Sequence, residues 1–490
     1  MNWRVFVVFG LIYAFTAKGY VETIDTIPSM ATAESIVTAG RIDVPQTAYG
    51  TPGTNGRFYS RFGIGTSLVF VPPVILAHVA ARVTHLKEPD LAGFFISFIN
   101  VASGLLLLYS FSRVLLHFGL RPASVLLFTV ALGFGTLCWR YAGSDFTDEL
   151  QAALLFLAFD GVIRGTTRGN VLGSAALAFL ILIKVAHVVF APIFGLYILA
   201  VTDGSYWKRA RACLIFALPI VAVLVIHLVL NFARYGNIFE TGYGEHAHMF
   251  SLRNLPLSVP ALLISLDKGL LVFCPVLVLG LVGFPAFLRR HRAAARFVLA
   301  VTVVGFLLDA MLGFWDGGWC WGPRYLVPIV PFLLLPAAFW LNESYSRRRL
   351  MIAVALTSLS IVAQVPGVLV KDQEIHHLRA HLLTDDERPH MASDTTTAWI
   401  MMAHKLRGKS EIYSVSELGV PGDRQVDLTT ARTFQGMNLW TEEMAHVLQK
   451  RVIHWFGVLG LLVSAALFGR VAKQLWTALR DEVTETVTAR

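Results

Sequence analysis

Long apolar runs recur along almost the whole chain and leave little choice of fold. Each run approaches the roughly 20 residues that an α-helix needs to cross about 30 Å of hydrocarbon, and short polar or basic turns separate the runs. The 490 residues are 55% hydrophobic and only 15% charged, whereas a soluble protein of this length is more polar. The runs also lack the alternating pattern of a membrane β-barrel. The sequence therefore predicts an all-α, polytopic integral membrane protein.

Twelve membrane-spanning helices with both termini inside fit these runs. A further apolar run, residues 64–83, would make thirteen and invert every later loop relative to the basic residues. Its Pro72-Pro73 pair is also expected to break a straight span. We therefore predict a helix at 64–83 that packs in the membrane without crossing it. The predicted spans lie at approximately 3–17, 92–112, 121–138, 150–163, 171–184, 186–201, 212–231, 269–287, 296–313, 326–341, 349–370 and 452–472.

The first apolar run has a second interpretation, a cleaved signal peptide. Arg4 precedes a short apolar stretch, and small residues near Ala17 loosely resemble a cleavage site. Lys18 and the acidic loop that follows it equally suit the end of an anchored helix. We expect the helix to be retained.

Basic residues concentrate in short turns between the apolar runs. The turns RGTTRGN (164–170), WKRAR (207–211), RRHRAAAR (289–296) and SRRR (346–349) alternate with loops that are acidic, aromatic or glycine-rich. The net charge of +9 thus reflects the excess of Lys and Arg that marks cytoplasmic loops, and no nucleic-acid partner is expected. The acidic and aromatic loops should lie outside.

Charge density divides the chain into three parts. Residues 1–370 carry most of the apolar runs, whereas residues 371–450 hold 21 of the 73 charged residues. This shift in composition predicts a transmembrane module at 1–370 and an extracytoplasmic soluble segment at 371–450. A last transmembrane helix and a cytoplasmic tail follow at 451–490.

A polar, acid-bearing loop at residues 20–63 follows directly on the first predicted helix. Glu22 and Asp25 should lie at the aqueous edge of the bilayer, where a carboxylate stays ionised yet can face a low-dielectric cavity. Such a position suits a general base. Alternatively, Asp25 only caps a helix that begins near Ile27 and Pro28, and Glu22 is an orienting or solvated residue beside a helix end.

Four outer stretches together resemble bacterial members of the GT-C superfamily. These are integral membrane glycosyltransferases that use polyprenyl-phosphate sugars, and they include relatives of protein mannosyltransferase and aminoarabinose transferase. The stretches are the first acidic loop, RYAGSDFTDEL at 140–150, NFARYGNIFETGYG at 231–244 and WDGGWCWGPRYLVPIVPFLL at 315–334. The resemblance spans roughly residues 1–345 and implies a GT-C-like fold of about twelve transmembrane helices plus one membrane-embedded helix.

The resemblance also implies a reaction and two acidic positions. A monosaccharide would pass from a polyprenyl-phosphate donor to an envelope acceptor in one inverting displacement, with Asp25 or Glu22 as the base. Many relatives carry an adjacent Asp-Glu pair in this loop, and the separation of the two acids here leaves two candidates. In the second loop, Thr147-Asp148-Glu149 stands where a Ser-Glu-Pro run is common. The second acid is Asp148 or Glu149, unless both only offset the positive end of a helix dipole.

Such a transfer also requires a cation that stabilises the departing phosphate. Arg324 of the WGPRY turn is the first candidate, because a guanidinium binds phosphate oxygens in a bidentate manner. Further outer-face candidates are Arg61, Arg140 and Lys268. Alternatively, Arg324 only anchors its helix in an interfacial belt of tryptophans. Lys184, between two apolar runs, either marks a turn or binds an anion.

No residue pattern requires a cofactor, although a divalent metal stays open. His246 and His248 after Glu245 are better explained as part of a solvated loop than as metal ligands, so no metal site is assigned. The cysteines lack metal-binding spacing. A disulfide between Cys138 and Cys320 is the alternative to isolated thiols packed in helices.

These observations predict a hexosyl- or pentosyltransferase of the cytoplasmic (inner) membrane whose active site faces the periplasm or cell exterior. Its partners would be the bilayer, a polyprenyl-phosphate sugar donor and an envelope glycan, lipid or protein acceptor. A transporter or lipid flippase is the alternative from another class, because Lys184 and broken helices also suit translocation. The lack of an evident inverted repeat argues against it. A non-catalytic scaffold would leave the first outer loop unexplained.

Overall fold

The computed structural model describes residues 3–244, 250–408, 411–428, 437–442, 444 and 451–488. Most of these residues are helical, so the predicted all-α architecture is confirmed. The α-helices before residue 370 are α1 Trp3–Phe15, α2 Thr26–Ala39, α3 Ile64–Thr84, α4 Glu88–Ser97, α5 Ile99–His117, α6 Pro122–Phe134, α7 Leu137–Ala142, α8 Asp148–Val162, α9 Thr167–Ile183, α10 Ala191–Val201, α11 Tyr206–Tyr235, α12 Leu255–Ile264, α13 Leu270–Phe273, α14 Val278–Arg290, α15 Arg292–Ala310, α16 Val330–Glu343 and α17 Arg347–Leu369.

Most of the predicted spans coincide with apolar helices, although the span predicted at 92–112 joins the end of α4 to α5. Among the described residues, seven helical stretches are long and apolar enough to cross a membrane by length and composition. Shorter apolar helices, including α1, α6 and α9, accompany them. The polytopic membrane architecture predicted from the apolar runs is thus confirmed. The seven stretches are Ile64–Thr84, Glu88–His117, Tyr206–Tyr235, Arg292–Ala310, Arg324–Glu343, Arg347–Leu369 and Trp455–Lys473.

Two predicted spans are interrupted by tight turns. In the span predicted at 269–287, a 3-10 turn at Pro275–Leu277 separates α13 from α14. The residue before a proline avoids the helical region, and Cys274 accordingly has φ −131° and ψ 66°. The span predicted at 186–201 begins with a 3-10 turn at Val185–Phe190 before α10. The 10-residue helix α12 is absent from the predicted spans because it is too short for a full crossing.

Helix α3 is continuous through Pro72 and Pro73, so the predicted break at these prolines is wrong. Because the fixed φ of proline is itself helical, the pair removes backbone hydrogen bonds without forcing the chain out of the helix. The length and composition of α3 would suffice for a crossing. Instead it packs with α2 and α4 around a separate small core formed by Ala33, Phe70, Val74, Ala77, Leu91, Ala92 and Ile96.

Contacts around α4 place this three-helix unit at one end of the bundle. The amide of Asn100 donates to the carbonyl of Ser144 at 2.7 Å, and the N–H of Gly19 donates to the hydroxyl of Ser97 at 3.1 Å. The end of α4 therefore lies level with the loop that follows α1. The three-helix unit therefore joins the bundle at this end. That α3 does not fully cross the membrane stays a prediction.

Basic and acidic loops lie at opposite ends of the bundle. Basic stretches connect α8 to α9, α14 to α15 and α16 to α17, and another forms the first turns of α11. At the other end, the N–H of Lys18 donates to the carbonyl of Gly143 at 3.0 Å, and the hydroxyl of Tyr141 donates to the carbonyl of Trp321 at 2.8 Å. These bonds join the loops after α1, after α7 and before α16. We call this end the outer end.

A small antiparallel sheet closes the first outer loop. Its strands are β1 Asp43–Val44, β2 Thr51–Pro52 and β3 Phe58–Tyr59, in the order β1-β3-β2. Helix α2 stops before it at Gly40, whose φ of 62° is left-handed and therefore favours glycine. The sheet returns the chain to α3, which packs along α2. The first turn of α2 is thereby held over the bundle.

The described part of residues 371–450 covers the outer loops, and we call it the outer segment. Its described regular elements are α18 Asp372–His377, α19 Asp394–Leu406, β4 Ile412–Ser414 and β5 Gln425–Asp427, followed by α20 Arg451–Thr488. Lys405 bridges Glu374 and Glu411, with N···O distances of 3.1 and 2.5 Å, and so ties α18 to α19. The ring of His376 stacks on Trp319 at a centroid distance of 5.6 Å. The segment is therefore packed directly on the loop that precedes α16.

Cysteine labelling tests which end faces outward. Asp386, in the outer segment, and Arg209, in the basic first turn of α11, are both exposed. With Cys213 replaced by serine to lower the background, an impermeant maleimide should label Asp386→Cys in intact cells and Arg209→Cys only after permeabilisation. The other native cysteines are buried. Labelling of Arg209→Cys in intact cells would contradict the orientation derived from the basic turns.

Candidate active site

Charged side chains from five parts of the chain meet at the outer end. Asp25 precedes α2, Asp148 opens α8 and Lys184 follows α9. Asp309 lies in the last turn of α15, and Arg324 opens a 3-10 turn that leads into α16. The charge of Asp148 interacts with those of Asp25, Lys184 and Arg324, and Asp25 pairs directly with Arg324. The charge of Asp309 interacts with those of Lys184 and Asp148.

Asp25 pairs with Arg324 instead of capping its helix. It occupies the N-cap position of α2, but its backbone is helical, with φ −66° and ψ −29°, and its side chain makes no capping hydrogen bond. Asp25 Oδ2 instead accepts a hydrogen bond from Arg324 Nη2 at 3.1 Å. The interpretation of Asp25 as a cap alone is therefore wrong. The side chain of Asp25 is 35% exposed, whereas that of Arg324 is 9% exposed.

Aromatic rings hold the guanidinium of Arg324. Its carbon lies 4.4 Å from the ring centroid of Phe146 and 4.8 Å from that of Tyr325. Nη2 also donates to the Tyr325 hydroxyl at 3.1 Å, whereas Nε is buried without a hydrogen-bond partner among the described residues. Ring faces attract a guanidinium and fix its plane. An anchor in an interfacial belt would be exposed to the headgroups, so that interpretation does not fit Arg324.

The loop before Arg324 needs glycine at its closest approach. Gly317 has a φ of +76°, and a Cβ there would lie 2.9 Å from Arg324 Cγ and 3.1 Å from Cys320 Sγ. A larger residue would thus be strained and would also push against the arginine. Gly317 permits the compact turn that seats Arg324 beneath the loop.

Glu22 lies in a buried ion-pair network. Lys18 Nζ lies 2.8 and 2.7 Å from its two carboxylate oxygens, and Arg140 Nη2 lies 2.8 Å from Oε1. Arg140 also pairs with Asp372 of the outer segment. Burial alone would raise the pKa of Glu22, but the charges of Arg140 and Lys18 outweigh it and lower the pKa to about 2. For the neighbouring Asp145, burial and the charge of Glu22 raise the pKa to about 6.

Arg140 and Lys268, two predicted phosphate ligands, are already engaged with protein groups. Arg140 is buried within the network around Glu22. Lys268 is also buried, and its Nζ donates to the carbonyls of Gly318 at 3.2 Å and of Cys320 at 2.7 Å. Arg140 thus joins loops, and Lys268 holds the turn that precedes Arg324. The structure does not bring these two cations to the open part of the site.

The two candidate acids of the second loop point in different directions. Asp148 is buried beside Arg324 and Lys184. Adjacent residues on a helix do not share a face, and Glu149 accordingly turns into the bundle, where its Oε1 lies 3.3 Å from the Cβ position of Gly104. There its carboxylate lies beside the thiol of Cys138. Only Asp148 of this pair belongs to the site.

Lys184, Arg61 and Tyr243 extend the site towards a cavity. Lys184 Nζ lies 4.6 Å from the ring centroid of Tyr325, and the Arg61 guanidinium lies 5.8 Å from that of Tyr243. Burial raises the pKa of Tyr243, and the charges of Lys184, Arg61 and Asp25 act on its hydroxyl. These residues therefore surround one volume. The adjoining cavity of about 550 Å³ is lined by Thr51, Pro52, Gly53, Thr54, Arg61, Tyr235, Glu240, Gly242, Tyr243 and Gly244.

Several site residues are not among the sequence-derived candidates. Asp309 carries a recognisable signal, because an ionisable residue within an apolar run marks a functional candidate by default. Phe146, Tyr243 and Tyr325 lie within the stretches that carry the resemblance. Their individual roles could not be predicted, because they depend on contacts between distant loops. Lys184 marks the turn after α9 and faces the charged cluster, and its binding of an anion stays a prediction.

The remaining sequence-derived candidates do not add to the site. The four cysteines are free, so the alternative of a Cys138–Cys320 disulfide is wrong. Glu245, His246 and His248 lie outside the described residues.

Neutralising Glu22 should destabilise the protein. Glu22→Gln leaves Lys18 and Arg140 short of a buried counter-charge, which typically costs about 3–5 kcal/mol. Asp90→Asn, at an exposed acid, is the control and should change the free energy of unfolding by less than about 0.5 kcal/mol. Thermal unfolding in detergent, followed with a dye that reacts with the buried cysteines, measures both. Equal stability of the two variants would show that the network does not support the fold.

The pH dependence has a defined sign. The folded pKa of Glu22, about 2, lies below its ordinary value. The ionised Glu22 therefore adds to the free energy of unfolding at every pH above its unfolded pKa, and this stabilisation is lost as pH falls through 2.

The fold resembles those of two solved structures of one enzyme. ArnT from Cupriavidus metallidurans bound to undecaprenyl phosphate has a TM-score of 0.52, with 16% identity over 81% of this chain and 70% of that chain. Its apo state has a TM-score of 0.51, with 16% identity over 82% and 68%. No protein-family model matches the sequence, and the search of curated proteins gave no match.

A weaker likeness links the chain to the archaeal oligosaccharyltransferase AglB from Archaeoglobus fulgidus, in complex with an inhibitory peptide and a dolichol-phosphate. The TM-score is 0.46, with 11% identity over 76% of this chain and 56% of that chain. The fold of this protein is thus similar to that of ArnT, in agreement with the all-α membrane architecture predicted from the sequence.

Proposed function

We propose that the protein is a glycosyltransferase that moves a monosaccharide from a polyprenyl-phosphate donor to a lipid, glycan or protein of the cell envelope. The observation that carries this proposal is the pair of Asp25 and Arg324, in which a partly open carboxylate lies 3.1 Å from a buried guanidinium. The pair lies at the outer end of a bundle with the fold of ArnT, whose structure is bound to undecaprenyl phosphate. The reaction would take place at the outer face of the cytoplasmic membrane.

Asp25 supplies the base in this mechanism. Its carboxylate takes the proton of the acceptor hydroxyl as the oxygen attacks the anomeric carbon. The bond from that carbon to the phosphate oxygen breaks in the same displacement, and the polyprenyl phosphate leaves with the electron pair. One displacement from the opposite face inverts the anomeric centre. Glu22 does not suit this role, because two cations hold it ionised and inaccessible.

Arg324 supplies the opposing charge, with Lys184 and Arg61 on the same side of the site. A guanidinium whose plane is fixed by aromatic rings is preorganised for two phosphate oxygens. Binding of a donor phosphate by Arg324 would also compete with its hydrogen bond to Asp25. The donor would thus free the carboxylate only when there is a substrate to attack. Asp148, buried beside the cations, balances their charge before the donor arrives.

The position of the charges argues against a transporter. A transporter usually holds its substrate near the bilayer midplane, on broken helices. Here Asp25, Lys184 and Arg324 lie where helices begin or end at the outer end of the bundle. The interruption between α9 and α10 at Lys184 therefore faces the same site as the first outer loop. It does not indicate a transport pathway through the membrane.

Reconstituted protein tests the proposed function directly. Purified protein in liposomes would be supplied with polyprenyl-phosphate sugars, and release of polyprenyl phosphate would be followed by mass spectrometry. Envelope glycans and lipids from strains with and without the gene would identify the sugar and the acceptor. Unchanged envelopes together with no turnover of any donor would overturn the proposal.

Asp25→Asn separates the base from other roles. The variant keeps an oxygen that can accept from Arg324 but cannot take a proton, so transfer should fall by roughly 100-fold or more. The thermal stability should stay near that of the wild type, because no capping bond is lost. Donor turnover and thermal unfolding measure the two effects. An active Asp25→Asn beside an inactive but stable Glu22→Gln would move the base to Glu22.

Arg324→Lys tests phosphate capture. The lysine keeps the charge but loses the planar fork, so kcat/KM for the donor should fall about 10- to 100-fold, as expected for hydrogen bonds worth about 1.5–3 kcal/mol. Arg324→Ala should lose more. Arg209→Lys, in the exposed basic first turn of α11 at the other end, is the matched control. Full activity in both Arg324 variants would remove this residue from the site.

A further inference from the structure

We propose that Glu34, His78 and Glu88 form a binding site for one divalent transition metal ion, with Zn²⁺ as the best fit. The three residues belong to three different helices, α2, α3 and α4. One ligand atom from each lies within 4.8 Å of the others. The site lies in the small three-helix unit at the outer end, apart from the charged cluster around Arg324.

The distances fit a tetrahedral metal. His78 Nε2 lies 3.0 Å from Glu34 Oε1 and 3.5 Å from Glu88 Oε2. Ligands about 2.0–2.1 Å from a tetrahedral Zn²⁺ are separated by about 3.3 Å, so the two distances bracket the expected value. An imidazole nitrogen with two carboxylate oxygens suits Zn²⁺ better than Ca²⁺ or Mg²⁺, which favour oxygen ligands alone.

A hydrogen bond outside the cluster prepares the imidazole for this role. The other ring nitrogen of His78, Nδ1, lies 2.9 Å from the carbonyl oxygen of Val74. As a donor to that carbonyl, Nδ1 keeps the proton and leaves the lone pair of Nε2 directed at the two carboxylates. Metal-binding histidines are commonly oriented in this way. A divalent cation would replace any proton on Nε2 and would neutralise the two carboxylates that meet there.

The role of this metal would be structural. The core shared by α2, α3 and α4 has only seven fully buried apolar residues, and small units of this kind often gain stability from a metal. Glu34 lies nine residues after Asp25 on or beside the same helix, which separates them by about 13 Å. The ion therefore would not touch the reacting atoms. If the protein has the proposed function, the ion would stabilise α2, the helix that begins directly after the base Asp25.

Metal binding is tested on the full-length protein without any donor. After treatment with a chelator, the protein in detergent would be loaded with Zn²⁺ and analysed by elemental mass spectrometry, and with Co²⁺ for its visible absorption. We expect one ion per chain and an upward shift of the melting temperature. The variants His78→Asn, Glu34→Gln and Glu88→Gln should each weaken binding by 100-fold or more, a loss of about 2.7 kcal/mol, and abolish the shift.

His85→Asn is the matched control. His85 is exposed, lies at the end of the same helix, and has a left-handed backbone that asparagine tolerates, so this variant should bind and respond like the wild type. Wild-type protein that takes up neither ion, or His78→Asn that binds as well as the wild type, would overturn the proposal. Because no sugar donor is involved, failure of the proposed transferase activity would leave this result unaffected.

Discussion

The buried ion-pair network around Glu22 is the interaction on which the outer end of this protein depends. Lys18 and Arg140 flank the carboxylate, and Arg140 continues to Asp372, so one chain of charges joins two outer loops and the outer segment. Burying such charges is costly unless each has its partners. Here the partners come from parts of the chain that are distant in sequence. The network can form only when the loops are assembled, and it then holds them in register.

This network explains how two neighbouring acids acquire different properties. Glu22 is enclosed by cations, whereas Asp25 emerges three residues later with one cation and an open side. The first acid fixes the loop, and the second is presented to the site by that fixed loop. The cations divide in the same way. Arg140 and Lys268 already donate to carboxylate or carbonyl oxygens of the protein. Arg324 still has a buried Nε without a hydrogen-bond partner among the described residues.

The corrections to the sequence-based predictions have a common cause. Asp25 has the sequence context of a helix cap, but a guanidinium from 299 residues away is a stronger partner than the local amides. Pro72 and Pro73 predict a broken helix from local rules, yet packing on α2 and α4 sustains it. Asp148 and Glu149 are equivalent by composition, and only the rotation of α8 separates them. In each case a contact distant in sequence overrides a local preference.

The sequence by itself determined the membrane class, the positions of the helices, the separation of basic and acidic loops, and the stretches in which the site lies. These properties follow from hydropathy and charge, which act over short segments and are read directly from the chain. Only the tertiary structure decided which charged residues are free to act. Folding decides whether Glu22, Asp25, Arg140 or Arg324 already has all of its ion-pair and hydrogen-bond partners. Burial and pairing are properties of the assembled loops and cannot be assigned to one residue alone.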